Sequence, residues 1–209
     1  MTARARAGRV AAHLAAALVI VTVAIACSAG PSFDPTAPCV ADGRSPGAYP
    51  ELEALPPKVY AGRPPDRVDS GRNCSEAALG TLAGHGVEEL RFAGATWDLG
   101  SANGVTMAVL QAEGLEPDWV AEFYEAGARA GRRVEEVTVE DLDLGGVPGT
   151  WIDVLNGDSF QSIVVAPLET DRVRVVLVAS AIREIETRAT HKDRVVGALT
   201  SWFPGFCCN

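Results

Sequence analysis

TWIDVLNGDSFQSIVVA, residues 150–166, decides how this chain folds. Ile152 and Val154 alternate with polar neighbours before Asn156-Gly157, and an apolar run closing in Ile163-Val164-Val165-Ala166 follows it. An Asn-Gly pair readily adopts the positive φ angles of a tight hairpin turn, so the stretch predicts two antiparallel strands. Downstream, Thr170-Asp171 marks another turn, and Val173, Val175 and Leu177 carry the alternation into a third strand. Upstream, Val134 to Val139 alternates weakly and Gly145-Gly146-Val147-Pro148-Gly149 reads as a loop.

The same logic works back towards the N-terminus. Glu89 to Leu99 and Val105 to Ala112 read as two strands around the turn Ser101-Ala102-Asn103-Gly104. Leu90 and Phe92 share one parity, Trp97 and Leu99 the other, which predicts a bulge near Gly94. Thr96-Trp97 and Thr150-Trp151 echo each other at the start of the two hairpins. Asn73-Cys74-Ser75-Glu76 reads as a capping box, opening a helix that ends near Gly84 and Gly86. Pro117 suits the first turn of a second helix, with Trp119, Val120 and Phe123 on its apolar stripe. Ile185, Ala189, Val195, Val196, Leu199, Trp202 and Phe203 give a closing helix over about 184–202. The expected fold is α+β over residues 70–209, an antiparallel sheet of about six strands with three helices.

The first residues carry a different signal. Arg4, Arg6 and Arg9 precede an uncharged run from Val10 to Ala26, which ends in Ala24-Ile25-Ala26-Cys27. A basic start, an apolar core and small residues at a cleavage point define a secretory signal. With the cysteine at that point, the segment resembles the lipobox of bacterial lipoproteins. The resemblance implies a signal over residues 1–26, a lipid on the Cys27 sulfur, and an extracytoplasmic protein anchored to the cell membrane. A retained membrane helix and an ordinary cleaved signal are the alternative readings. Residues 27–69, with their many prolines, are expected to be a tether and irregular segment.

The second half also resembles the PsbP-like fold of photosynthetic lumenal proteins and bacterial envelope lipoproteins. Gly146-Val147-Pro148-Gly149, the Gln161 strand, the strand from Arg172 to Ala179 and the Trp202-Phe203 helix end carry that likeness. It implies a non-catalytic binding or assembly module and transfers no functional residue.

Charge and cysteines limit the partners. The formal charge is −9, and cleavage before Cys27 would remove three arginines and no acid. Such an acidic chain argues against nucleic acid and against adhesion to anionic lipid. Membrane attachment is therefore assigned to the lipid. Besides Cys27 there are Cys39, Cys74, Cys207 and Cys208. Four cysteines in an exported chain predict two disulfides. Pairing the adjacent Cys207 and Cys208 would strain the ring, so each is expected to pair with Cys39 or Cys74.

Catalytic signatures are missing from the sequence. It contains no Gly-x-Ser-x-Gly elbow, phosphate loop or His-Glu-x-x-His pattern. Glu140, Asp141 and Asp143 read as a solvated strand edge. His191 reads as a surface helix residue, and His85 as a partner of helix-end carbonyls. Asp98 and Asp153, each beside a tryptophan, read as polar strand positions rather than a paired-carboxylate centre. Trp97 and Trp151 are the candidate binding residues, because both begin strands that could line a groove. No metal or other cofactor is expected. The leading expectation is a non-catalytic envelope lipoprotein that binds a protein partner or a small ligand. An extracytoplasmic hydrolase and a structural protein contacting the cell wall are the alternatives.

Overall fold

Alternating side chains between tight turns build one antiparallel sheet. The computed structural model describes residues 33–182 and 187–206. Phe33 onwards belongs to one compact unit, which starts well ahead of the expected Ser70. Its strands are β1 (Gly43–Ser45), β2 (Arg67–Asn73), β3 (Leu90–Gly100), β4 (Asn103–Gln111), β5 (Val134–Asp143), β6 (Pro148–Asn156), β7 (Ser159–Glu169) and β8 (Arg172–Ala181). They lie in the order β1-β2-β3-β4-β8-β7-β6-β5, and every neighbouring pair is antiparallel.

The helices are α1 (Pro50–Glu53), α2 (Glu76–Leu79), α3 (Thr81–Gly84), α4 (Pro117–Arg129) and α5 (Arg188–Trp202). The expected six-stranded α+β fold with three helices, PsbP-like in outline, is therefore corrected. The chain is mostly an eight-stranded antiparallel sheet, and only two of the five helices among the described residues exceed one turn. The extra strands are β1 and β2. The helix expected from the capping box is broken in two because Gly80 leaves helical geometry (φ 53°, ψ −127°).

Both faces of the sheet are packed. On one, Ile152, Val154, Ile163, Val165, Val173 and Val175 pack with Val120 and Ala121 of α4. On the other, Val164, Ala166, Val176 and Val178 pack with Val195, Ala198 and Leu199 of α5 and with Phe203. This two-sided burial removes the bulge expected near Gly94. Leu90 and Phe92 face α4, Trp97 and Leu99 face α5, and the β3–β4 register stays regular from Arg91 to Asp98. The irregularity comes later, between Asp98 and Gly100.

The β3–β4 turn puts two non-glycine residues in left-handed geometry, Ser101 at φ 57° and Ala102 at φ 63°. Each such residue costs about 1–2 kcal/mol. Ala102→Gly is therefore expected to stabilise the fold by about 1 kcal/mol, measured by urea unfolding.

The proline-rich stretch is docked to the sheet edge. Arg72 of β2 is buried, and its guanidinium donates to four carbonyls: Asp34 (3.3 Å), Pro35 (3.4 Å), Ala37 (2.6 Å) and Pro38 (3.1 Å). Cys39 and Cys74 are disulfide-bonded to each other, 35 residues apart. Pairing of either with Cys207 or Cys208 is thereby overturned, and those two lie outside the described residues. Tyr49 and Leu52 of the α1 region are buried against Ala93 and Val109, and Ser70 ties α1 down by accepting from the Tyr49 amide (2.8 Å) and donating to Glu53 (2.8 Å). The other sheet edge is β5, whose Glu135, Glu136, Glu140, Asp141 and Asp143 put carboxylates on both of its faces.

Candidate functional site

Beneath the first turns of α5, a row of polar side chains replaces apolar packing. On α5, His191 precedes Val195, Ala198 and Leu199 at spacings of four, seven and eight, so it shares their buried stripe. On β7, Ser162 has the parity of Val164 and Ala166, and on β8 Ser180 has that of Val176 and Val178. All three polar residues are buried. The register sets Asp153 of β6 directly opposite Ser162.

The contacts form one chain. Arg194 of α5 donates from Nη1 to the Ser180 hydroxyl. His191 Nδ1 meets Ser180 Oγ at 2.8 Å, and Nε2 meets Ser162 Oγ at 2.9 Å. Ser162 donates to Asp153 Oδ1, which also accepts from Trp151 Nε1 at 2.6 Å. Donor counting then fixes the direction. Ser162 has one hydrogen and gives it to the Asp153 carboxylate, so it accepts from His191 Nε2–H. With that proton on Nε2, a neutral ring takes the Ser180 hydrogen at Nδ1, and Ser180 accepts from Arg194. Nitrogen NMR is expected to show His191 as the Nε2–H tautomer, and Ser180→Ala to shift its ring signals and lower stability by about 1–3 kcal/mol.

Above the row lies a cleft of about 190 Å³, walled by Trp151 and Phe160 and rimmed by Glu140, Arg188 and Lys192. Arg188 pairs with Glu136 at 2.9 Å and lies over the Phe160 ring at 5.5 Å. The cleft thus joins aromatic walls and both signs of charge to a buried polar floor. A wider hollow of about 550 Å³ runs along 86–89 and 111–113, but its charged lining (Glu88, Glu89, Arg91, Glu113 and Asp171) has no buried polar floor.

The two tryptophans singled out from sequence separate here. Trp151 lines the cleft. Trp97 is fully buried, donates to the Arg63 carbonyl at 3.0 Å and packs edge-on against Tyr60, so it lines no groove. His191 is a buried member of the row rather than a surface residue. His85 meets a helix-end carbonyl through its amide, which donates to Leu82 at 3.1 Å, while its ring bonds Glu122 at 2.7 Å and stacks on Trp119. Asp98 and Asp153 lie on opposite faces, four strands apart, roughly 19 Å at about 4.8 Å per strand. That separation is too large for paired-carboxylate glycoside chemistry. Ser162, Ser180, Phe160 and Arg194 escaped the sequence reading. The available signal for Ser162 and Ser180 was the strand parity they share with the buried Val164, Ala166, Val176 and Val178.

Among the described residues, no group of His, Cys, Asp and Glu is arranged to hold a metal, and no helix is long and apolar enough to cross a membrane. Cys27 lies outside the described residues. No family model, curated protein or solved structure matches the chain.

Proposed function

We propose that this protein is a lipid-anchored, extracytoplasmic binding module without catalytic activity, and that the cleft beside Trp151 receives its small ligand. The observation that carries the reading is the direction of the buried row. A serine nucleophile needs a neighbouring base to take its proton. Here His191 presents Nε2–H to Ser162, and Ser162 gives its hydrogen to Asp153. The arrangement holds the cleft floor still and leaves the histidine no proton to accept from the serine. Trp151 and Phe160 offer apolar faces, while Glu140 and Lys192 offer polar edges. That combination suits a ligand with one apolar face and a hydroxylated rim, such as a sugar ring.

The lipobox resemblance supplies the anchor at Cys27. The test is to take the full chain from its membrane and weigh it by gentle, then denaturing, mass spectrometry. The expected result is a mass beginning at Cys27 with acyl chains, plus a small bound molecule that Trp151→Ala loses by tenfold or more. An unmodified chain keeping Met1 overturns the anchor. A bound molecule retained equally by Trp151→Ala overturns the cleft.

A further inference from the structure

The opposite face of the sheet carries a second feature, unrelated to the Trp151 cleft. Helix α4 lies against β5, β6 and β7. On the same face, beyond Phe92, β2, β3, β4 and β8 form a trough of about 290 Å³. Its floor is built from small residues: Gly94 and Thr96 of β3 with Thr106 and Ala108 of β4. The two threonine hydroxyls bond each other at 3.1 Å, which leaves their methyls to the apolar lining. Tyr124 of α4 forms part of one wall, its phenol pushed up to about 12 by burial. Arg44 and Arg67 stand at the other side.

Gly94 is the informative residue. Glycine weakens a strand interior, and there it marks a bulge, a bend or a close approach by something else. No bulge or positive φ occurs at Gly94, and a Cβ there would meet only Ala108, Thr106 and a carbonyl at 3.6–3.9 Å, ordinary contact distances. Gly71 of β2 is different: a Cβ there would run into the Gly43 carbonyl of β1, so the chain itself requires that glycine. Nothing among the described residues requires Gly94. Its missing side chain only keeps the trough open.

The rim adds charge. Arg44 and Arg67 share one carboxylate, Asp69, through their Nε atoms at 3.9 and 3.5 Å, and their side chains are 59% and 57% exposed. Neither guanidinium has another ion-pair partner among the described residues. The trough mouth is therefore cationic on a chain of net charge −9. We infer that the trough binds a single-chain amphiphile with a carboxylate head, its chain lying on Gly94 and Ala108 and its head at Arg44 and Arg67. Apolar contact along the floor supplies affinity, and the guanidiniums select the anion.

The test titrates decanoate calorimetrically into the full chain in nanodiscs, with empty nanodiscs as the blank. Gly94→Val fills the trough with a strand-favouring side chain at a position that has room for it. It is expected to weaken decanoate at least tenfold without lowering the thermal midpoint. Arg67→Glu, at an exposed position, is expected to weaken decanoate at least fivefold and leave decanol unchanged. Trp151→Ala is expected to bind decanoate like the parent chain, which separates this site from the proposed cleft. No decanoate binding by the parent chain, or equal binding by Gly94→Val and Arg67→Glu, overturns the inference. Decanol binding as tightly as decanoate overturns the assignment of the head.

Discussion

Replacing Cys39 and Cys74 by serine is expected to lower stability by about 4 kcal/mol in urea unfolding. The bridge closes a loop of 35 residues, for which the chain-entropy model gives about that value. The loop contains β1, α1 and all of β2, elements with few apolar residues of their own. Tyr49 and Leu52 give the loop much of its hold on the sheet, by packing on Ala93 and Val109. Without the bridge, amide exchange is expected to rise first across 39–55, while β6, β7 and β8 keep the protection of the global fold. Equal exchange in both proteins at these amides would mean that packing alone holds the edge.

Arg72→Met is expected to cost about 3 kcal/mol. The guanidinium is buried, and its loss strips the Ala37 carbonyl of its donor and leaves Asp34, Pro35 and Pro38 only their second donors, the Ala37 amide, the Tyr49 hydroxyl and the Val40 amide. It also removes the weak pairing with Glu89 at 3.9 Å and the stacking over Phe33 at 5.5 Å. Arg72 Nε has no partner among the described residues, which keeps the expected loss below that of a fully satisfied buried cation. Lysine has one nitrogen where arginine spreads two terminal amines over four acceptors, so Arg72→Lys should recover less than half of the loss. Because Arg72 and the disulfide hold the same segment, the combined variant should lose less than the sum of the two. Strict additivity would show that they act on separate parts of the fold.

Local pattern revealed much of the sheet. The strands from Leu90 to Gln111 and from Pro148 to Ala181 are visible because turns such as Asn156-Gly157 punctuate alternating runs. Strand β2 is not, since Arg67–Asn73 holds only one apolar residue, Val68. It is a strand because β3 pairs with it and because Arg72 and Cys74 have partners more than 30 residues away. The parity change along β3 suggests a bulge only while one face is assumed to be wet. Two buried faces make both parities apolar without any irregularity.

The site was legible in part. Trp97 and Trp151 follow the same Thr-Trp pattern, yet the first is sealed by Tyr60 and the second opens onto the cleft. Tyr60 lies in a segment read as irregular, so sequence alone offered no means to tell them apart. Ser162, Ser180 and His191 look ordinary one at a time. Their meaning comes from three elements placing polar groups where each element's own neighbours are apolar.

The unequal edges of the sheet bear on how the protein behaves in crowded solution. The β1 edge ends after three residues, but β5 runs for ten and offers its backbone along one side. Two copies meeting along β5 would bring five carboxylates from each chain together, and that repulsion keeps them apart. Repulsion between exposed charges fades beyond a Debye length of about 8 Å at physiological salt and about 3 Å in molar salt. Colloidal stability is thus tied to ionic strength: concentrated salt weakens the guard on β5, and Val139, 40% exposed on that strand, becomes a point of adhesion.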